Sequence, residues 1–302
     1  MPEPKNTLPR GYLMEGYRIE KPIGGGGFSL VYLAVHIQTK AKVVIKEYFP
    51  ADMCTRIPGG KVTPRSEKQE RPFQVGIKRF FSEGMALAKL NHSNIVNVSN
   101  FFRTNSTVYM VMDYQRGRDL RWFIKRYRGR LSEQFLLTVF PKVLLGLNEL
   151  HTHNFLHLDI KPPNILLRTG GEPLLLDFGA VQQTEPGMRY KGVQTLTHGF
   201  APIEQYEEGE MGPWSDIYAI GATMYATITG KAPPPSGERR KNDKLVPITK
   251  SHARKYSKSL LQAIDWSLTL DYKQRPQTVE AFSDQLLEAV SSRRRQAREL
   301  EL

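Results

Sequence analysis

The sequence predicts an α+β protein with strands in its first third and helices in the remainder. In the first third, Val31, Leu33 and Val35 alternate with other residues and 43–45 is a β-branched run, two patterns typical of strands. Segment 216–229 (DIYAIGATMYATIT) is apolar nearly all round, as in a helix at the centre of a lobe. The length of 302 residues exceeds the roughly 100 to 200 residues of a usual domain, which indicates one large domain or two lobes.

The strand-rich part contains an interruption. Strands are predicted within 17–48 and over 108–114, whereas segment 50–72 has prolines, glycines and many charges and is expected to be an exposed insertion. Two interpretations remain open. The insertion docks a partner or a second copy of the chain, or it is a tolerated surface loop.

A helix is predicted after the insertion, and its buried stripe contains an acid. The stripe has a spacing of i, i+3, i+7 and i+10 and consists of Phe80, Glu83, Leu87 and Leu90. A buried carboxylate is costly unless a cation meets it, and Lys46 is the natural candidate. Because side chains alternate along a strand, Val44 and Lys46 share one face. The alternative is a solvated lysine at a strand end.

The remaining chain is helical. Helices are expected at 132–151, with a kink at Pro141, and at 216–229, 259–269 and 278–291. The prolines at 233–235 and the polar residues that follow, up to Ser251, predict a surface loop.

Composition narrows the function classes. The net charge of +13 is compatible with nucleic acid, an anionic membrane, an acidic protein or a merely solvated surface. No helix-turn-helix, zinc-finger or aromatic RNA-binding signature accompanies it. Cys54 is the only cysteine, so an intramolecular disulfide and a zinc cluster of thiolates are excluded. The sequence has no signal-peptide core and no apolar run of membrane-spanning length. These features predict a cytoplasmic location.

A glycine run lies between two predicted strands. Its bare backbone suits close approach to phosphates, although such a hairpin is more often a tight turn. The segment reads Ile23, Gly24, Gly25, Gly26, Gly27, Phe28, Ser29, Leu30 and Val31.

The strongest motif block is His157-Leu158-Asp159-Ile160-Lys161-Pro162-Pro163-Asn164, followed by Leu174-Leu175-Leu176-Asp177-Phe178-Gly179. With Val43-Val44-Ile45-Lys46, this order and spacing resemble the eukaryotic-like (Hanks-type) protein kinases. The segments IKEYFPAD and GFAPIEQY resemble their bacterial members. The resemblance runs from about Tyr17 to Ala289. It implies the two-lobed protein-kinase fold, with a small antiparallel β-sheet N-lobe that has one main helix, and a larger, mainly helical C-lobe.

The resemblance implies a catalytic set for ATP-dependent Ser/Thr phosphorylation. Asp159 would accept or orient the substrate hydroxyl proton, and Asn164 and Asp177 would hold Mg²⁺, or Mn²⁺ in its place. Lys161 would add positive charge at the γ-phosphate, as in the Ser/Thr subclass, and Lys46 would pair with Glu83.

The resemblance to these kinases also implies a nucleotide pocket. Residues 23–31 would cover the nucleotide, while Val31, Val44 and Leu166 would sandwich the adenine. Met112 would lie at the back edge, and Asp113, Tyr114 and Gln115 would form the hinge. Ser29 stands where kinases usually have the third glycine.

An activation segment is implied from Asp177 to Glu204. Glu204 is expected to form an ion pair with Arg275, and Asp216 to anchor the catalytic-loop backbone; His157 and Phe178 are further structural residues of the motifs. Hydroxyls in this segment are candidate autophosphorylation sites, namely Thr184, Tyr190, Thr195 and Thr197.

The main departure from the family is Leu158, which replaces an arginine that usually binds a phosphorylated residue of the activation segment. Leucine removes that charge partner. We therefore hypothesise that catalysis does not depend strictly on phosphorylation of this segment.

The expected organisation is a kinase domain at 1–291, with an N-lobe at about 17–114, a hinge at 113–117, a C-lobe at 118–291 and a basic tail at 292–302. The tail is interpreted as the start of a linker in a longer protein, and a membrane anchor after residue 302, with the kinase domain at the cytoplasmic face, is an open alternative. Expected partners are protein substrates, including a second copy in trans, and a homodimer is an open alternative; no specific nucleic acid is expected. A catalytically impaired kinase-like scaffold is the second functional interpretation.

Overall fold

The chain divides into two compact units. The computed structural model describes residues 6–177, 182–183 and 196–288, without the side chains of Glu83, Ala86, Gln182 and Gln183. The first unit contains Met1–His92 and Val96–Gln115, and the second contains Ser93–Ile95 and Arg116–Leu302.

The first unit contains one antiparallel sheet of six strands and one hairpin. Its strands are β1 Leu13–Met14, β2 Tyr17–Gly25, β3 Ser29–His36, β4 Lys42–Tyr48, β5 Cys54–Arg56, β6 Val62–Pro64, β7 Val98–Thr104 and β8 Thr107–Asp113. The sheet has the order β1-β2-β3-β4-β8-β7, and β5 and β6 form the hairpin. Lys46 pairs with Val31 on one side and Met110 on the other, and Val44 pairs with Leu33 and Met112. Directly opposed residues share a face, so Val44 and Lys46 lie on the same side of the sheet, as expected.

Helix α1, Glu67–Leu87, packs on the face that carries Lys46. The ring of Phe80 lies 6.0 Å from Lys46 Nζ and 5.7 Å from the ring of Tyr48. The helix ends before Leu90, which was expected within it; Leu90 is nevertheless buried, because the chain turns back toward the core.

The hairpin of the insertion packs on the opposite face of the sheet. The expectation of an exposed insertion at 50–72 holds for most of its residues, but 54–56 and 62–64 form strands and 67–72 already belong to α1. Strands β5 and β6 pair as a hairpin, in which Cys54 and Val62 are fully buried. Arg56 of this hairpin reaches Glu47, which alternation places on the face opposite Lys46. Cys54 and Val62 lie on one face of the hairpin, because Val62 pairs with Arg56, two positions after Cys54.

The second unit is mainly helical. Its elements are β9 Gly117–Asp119, α2 Leu120–Tyr127, α3 Glu133–Thr152, β10 Phe155–Leu156, a 3-10 helix Pro162–Asn164, β11 Ile165–Arg168, β12 Pro173–Leu175, β13 Gln182–Gln183, α4 Ile203–Tyr206, α5 Pro213–Thr229, α6 Ser236–Lys241, α7 Ile248–Ser251, α8 Lys258–Ser267, a 3-10 helix Tyr272–Gln274 and a helix over 279–288. Strands β9, β11 and β12 form one small sheet, and β10 pairs with β13.

Local signals set several helix ends. The side chain of Ser132 caps α3, in which Pro141 lies within one continuous helix. Helix α5 begins three residues before Asp216, with Pro213 in its first turn, and ends at Gly230, whose φ of 79° suits a glycine cap. None of the helices in the described part of the chain is long and apolar enough to cross a membrane.

The segment 233–251 is not a simple surface loop. It contains α6 and α7, and Arg239 of α6 is only 5% exposed. The Arg239 guanidinium donates to the Tyr218 hydroxyl at 3.2 Å and to the Leu268 carbonyl at 2.8 Å. The composition of this segment did not predict the packing, because the segment is polar and a single buried residue, Arg239, holds it against α5.

Candidate functional site

The loop 157–164 is anchored by a buried carboxylate. Asp216, in the first turn of α5, accepts hydrogen bonds from the backbone N–H groups of His157 at 2.9 Å and Leu158 at 2.8 Å. The His151 ring contacts the same carboxylate at 2.9 Å. Burial favours the neutral carboxyl, but the His151 ring and the loop around His157 outweigh it, so the pKa of Asp216 is lowered. The anchoring contact expected of Asp216 is therefore present.

Leu158 adopts an uncommon backbone conformation, with a φ of 59°. A branched residue in this region is strained and persists only when neighbours hold it. The Asp216 carboxylate holds its N–H, and Gln205 Nε2 donates to its carbonyl at 3.0 Å. Its side chain is buried in a cluster with Leu156 and Met211. Gln205 was missed in the sequence, since an amide beside a motif glutamate gives no signal of its own.

The side chain of Asp159 lies at the centre of a polar cluster. Lys161 Nζ lies 2.8 Å from Asp159 Oδ2, and Thr197 Oγ1 donates to Asp159 Oδ1 at 2.7 Å. Lys161 Nζ also donates to Thr197 Oγ1 at 3.1 Å. The Asp159 side chain is 20% exposed, so this oriented carboxylate remains accessible to a reacting hydroxyl.

Asn164 and Asp177 flank one hairpin. Asn164 immediately precedes β11 and Asp177 follows β12, and the Leu176 N–H donates to the Asn164 carbonyl at 2.8 Å. Asn164 Nδ2 donates to the Asp159 carbonyl at 2.8 Å and to Asp159 Oδ2 at 3.2 Å. The Asn164 side chain thus directs Nδ2 toward Asp159, so its Oδ1 can act as an acceptor or a metal ligand. His157 Nε2 contacts the Leu176 carbonyl at 3.1 Å, which braces the segment before Asp177.

This donor set fits magnesium. Hard oxygen ligands suit Mg²⁺, which usually keeps waters and substrate phosphates and takes only one or two protein carboxylates. Asn164 and Asp177 offer one amide oxygen and one carboxylate. Within 6–177 and 196–288, no group of three or more His, Cys, Asp or Glu side chains forms an alternative metal site.

In the first unit, Lys46 is buried in β4 and shares its face with Val31, Val44 and Met112. Glu83 belongs to α1, but its side chain lies outside the described part. The Lys46–Glu83 pair therefore stays a prediction.

The glycine run forms the connection from β2 to β3. The strand continues to Gly25, and the Gly26 N–H donates to the Ser29 carbonyl at 2.9 Å to close the turn. Ile23, near the end of β2, and Phe28, in the loop, are exposed apolar side chains, at 44% and 39%. A Cβ at Gly25 would lie 3.2 Å from Leu30 Cδ2, whereas one at Gly26 would meet open space.

The other nucleotide candidates are distributed between the units. Asp113 ends β8, and its carboxylate accepts from Asn97 Nδ2 at 3.0 Å. Tyr114 is exposed, and Gln115 is the last residue of the first unit. Leu166 belongs to the second unit, where it pairs with Leu174 and Asp119.

Glu204 and Arg275 form the expected ion pair. Two guanidinium nitrogens lie 2.7 and 3.0 Å from the two carboxylate oxygens, and both side chains are almost fully buried. Arg275 also donates to the carbonyls of Thr269 and Leu270, and Ser215 Oγ donates to Glu204. These contacts join α4 to the start of α5 and to the loop after α8, so the pair is structural.

Several predicted residues are outside the part of the chain that the structure describes. Phe178, Thr184, Tyr190 and Thr195 lie outside the described residues, as does the tail 292–302. Thr197 is described, and its hydroxyl contacts the Asp159 cluster.

Comparisons with known proteins agree on one family. The protein kinase domain family matches residues 17–287. Serine/threonine-protein kinase D of Synechocystis sp. is 28% identical over 291 residues, which cover 93% of this chain and 53% of that protein. Serine/threonine-protein kinase PknA of Nostoc sp. is 30% identical over 239 residues, which cover 74% of this chain and 39% of that protein. The chain therefore spans about half the length, or less, of these curated relatives.

A solved structure described as "PpkA-294 apo form" superposes with a TM-score of 0.82 and 32% sequence identity, covering 93% of this chain and 100% of that chain. This likeness agrees with the antiparallel sheet of the first unit and the helices of the second, which are those of the two-lobed protein-kinase fold.

Proposed function

The chain belongs to the protein kinase family, and from this premise we propose that it transfers the γ-phosphoryl group of ATP to serine and threonine hydroxyls of proteins. The observation that carries the proposal is the cluster around Asp159, in which Lys161, Thr197 and Asn164 orient a partly exposed carboxylate. That arrangement suits a residue that accepts or orients a proton from an attacking hydroxyl.

The roles follow from the chemistry of phosphoryl transfer. The transition state needs little covalent help, so positioned charge and an aligned nucleophile supply most of the catalysis. Asp159 aligns the substrate hydroxyl and takes its proton, and Lys161 contributes positive charge beside it. Asn164 and Asp177 would hold magnesium, which when bound neutralises charge on the phosphates.

We propose that the first unit binds the nucleotide through its glycine run and one face of its sheet. The bare glycine backbone allows approach to phosphates, and Lys46 supplies a buried cation on the face that also carries Val31 and Val44. Apolar side chains on that face suit the adenine. Asp113, Tyr114 and Gln115 would supply backbone groups for its edge.

Incubation with labelled ATP and Mg²⁺, followed by phosphosite mapping, tests the activity. We expect the wild-type chain to label itself or a generic protein substrate on Ser or Thr. Asp159→Ala should lower the rate by about 10²- to 10⁴-fold, the usual contribution of a positioned acid–base group. A wild-type chain that labels no more than Asp159→Ala would contradict the proposal.

The proposed partners are protein substrates, including a second copy of the chain in the cytoplasm. Mixing the wild type with a tagged Asp159→Ala chain separates the two routes of autophosphorylation. Label on the tagged chain indicates transfer in trans and an encounter between two copies, whereas label confined to the wild type indicates transfer in cis.

A further inference from the structure

The chain that follows β4 continues alongside the glycine loop. The last pair of the β3–β4 ladder is Ser29 with Tyr48. Beyond it, the Phe49 N–H donates to the Phe28 carbonyl at 2.9 Å, and the Ala51 N–H donates to the Gly27 carbonyl at 3.0 Å. Glycine has more backbone freedom than any other residue. These two bonds therefore restrain the part of the loop that would otherwise be least fixed.

Segment 49–51 is itself held by the hairpin β5–β6. The Arg56 guanidinium lies 5.2 Å from the ring centroid of Phe49, a cation–π distance, and Phe49 is 1% exposed. The same guanidinium lies 2.6 Å from Glu47 Oε2. Arg56 thus contacts both Glu47, within β4, and Phe49, directly after the strand.

The Arg56 guanidinium has further partners, and its side chain is only 8% exposed. Its Nε donates to the Asn6 carbonyl and its Nη1 to the Gly60 carbonyl, each at 2.6 Å. Glu47 is fully buried and also accepts from the hydroxyls of Tyr32 at 2.8 Å and Tyr109 at 2.7 Å. The network therefore joins the N-terminal segment, the hairpin and three strands of the sheet.

The turn after Phe49 is braced as well. The Pro50 carbonyl accepts from the N–H groups of Met53 at 2.9 Å and Cys54 at 3.0 Å. Arg65 Nε donates to the Ala51 carbonyl at 3.1 Å. The segment that contacts the glycine loop is thus fixed at both of its ends.

Stability alone does not account for this ion pair. A buried ion pair is often no more stabilising than apolar side chains of the same volume, but it specifies one geometry. Here the specified geometry is that of the strand end from which Phe49 and Ala51 donate to the glycine loop.

We propose that Arg56 is a positioning residue for nucleotide binding, which acts with Glu47 and Phe49 to hold segment 49–51 against Gly27 and Phe28. The inference rests on the proposed function, because the nucleotide is the ligand that the loop is expected to cover. A restrained loop loses less conformational entropy when it binds. Release of the restraint therefore weakens ATP binding more than it slows transfer from bound ATP.

The experiment compares Arg56→Met with Lys61→Met, a matched loss of one positive charge at an exposed position of the same hairpin. For each folded chain we would measure the Kd for ATP with Mg²⁺, and KM and kcat for phosphorylation. Arg56→Met should raise Kd and KM about 10-fold and change kcat less than about 2-fold, a difference in binding free energy of about 1.4 kcal/mol. Lys61→Met should match the wild type.

Two further variants keep the test decisive if Arg56→Met does not fold. Glu47→Gln/Arg56→Met removes both charges, so no carboxylate is left buried without a cation, and it should show the same rise in KM. Arg56→Lys retains one charge but not the forked donors and should lie between the wild type and Arg56→Met.

Amide hydrogen exchange gives a readout independent of turnover. The Phe49 and Ala51 amides should exchange at least about 10-fold faster in Glu47→Gln/Arg56→Met, since their bonds to the loop open more often. Faster exchange with an unchanged Kd for ATP would overturn the positioning role, as would a fall in kcat with an unchanged KM. A wild-type chain that binds ATP but transfers no phosphate would instead refute the proposed function.

Discussion

Glu204 and Arg275 form a buried ion pair, in which each charge is the partner of the other. Glu204→Gln keeps the shape of the side chain but leaves the Arg275 guanidinium buried without its counter-charge. We expect the free energy of unfolding to fall by about 3–5 kcal/mol, measured by equilibrium denaturation.

The exposed pair of Arg18 and Glu20 provides the control for this prediction. Its atoms are 3.0 Å apart, but the Arg18 side chain is 55% exposed. Arg18→Met should therefore change stability by about 0–1 kcal/mol. An equal fall in the free energy of unfolding in Glu204→Gln and Arg18→Met would show that burial does not determine the effect at Glu204.

Leu158 carries a prediction about regulation. Its buried side chain offers no charge to a phosphate, and Asp216 and Gln205 hold its backbone in place without one. A phosphatase-treated chain should therefore keep activity on an added substrate, within about 2-fold of the untreated chain. We would measure initial rates with mass spectrometry as the check on dephosphorylation. Loss of activity that returns on rephosphorylation would contradict this hypothesis.

Cys54 carries a prediction about pH. Burial, and then the Glu47 carboxylate, raise the pKa of the Cys54 thiol from 9.0 to about 12. The folded chain keeps the thiol protonated, whereas the unfolded chain ionises near pH 9. The stability that this difference contributes is complete below about pH 9 and is lost as pH rises toward 12.

Between pH 8 and pH 10, the wild type should lose about 1.4 kcal/mol more unfolding free energy than Cys54→Ala. Urea denaturation of both chains at the two pH values measures the difference. Parallel losses would mean that the thiol ionises with the same pKa in the folded and unfolded states.

At the scale of elements, the approach of α1 to the sheet depends on Gly84. A Cβ at this position would lie 2.0 Å from Phe101 Cε1 and 3.1 Å from Met110 Cε. Gly84→Ala should therefore destabilise the chain by about 1–3 kcal/mol, although alanine has the better helix propensity. Ser82→Ala, at an exposed position of the same helix, should stay within about 0.5 kcal/mol of the wild type.

A rescue variant tests the cause of that loss. Phe101→Leu removes the ring edge that the new methyl group would contact. The loss of unfolding free energy in Gly84→Ala/Phe101→Leu should therefore be smaller than the sum of the losses in the two single variants. Strict additivity would show that the helix does not press on Phe101.

Strand β4 shows how one element serves two purposes. Lys46 faces α1, and Glu47 faces the hairpin β5–β6. Successive side chains of a strand point to opposite sides, so adjacent residues supply the cation that we propose for nucleotide binding and an anion that holds the hairpin. In the sequence, the acid Glu47 within the mostly apolar run VVIKEYF could have predicted a buried cationic partner, which is Arg56 of the hairpin.

At the scale of the whole molecule, nucleotide binding should stabilise the folded chain. A non-hydrolysable ATP analogue with Mg²⁺ at about 100 times its Kd should add about 2.7 kcal/mol, measured as a rise in thermal midpoint. The rise should shrink on addition of EDTA, and Asp177→Asn should lose the magnesium-dependent part. An equal rise with and without Mg²⁺ would contradict the metal role proposed for Asn164 and Asp177.

The sequence by itself determined the family, the strand-rich and helix-rich halves, the shared face of Val44 and Lys46, and the ion pair of Glu204 with Arg275. The strand-rich and helix-rich parts and the shared face follow from periodicity along the chain, whereas the family was identified from the resemblance of the ordered motifs to known kinases. The ion pair could be expected only because the ordered motifs resemble a known family, since its partners are 71 positions apart.

Tertiary structure alone decided where several polar side chains find partners. It brought Thr197 to Asp159, Gln205 to the Leu158 carbonyl, and Arg239 to the Tyr218 hydroxyl. It also folded residues 54–64 of the expected insertion onto a sheet face. The physical reason is that a buried polar group must be satisfied, but its partner is chosen by proximity in the folded chain, which local composition does not encode.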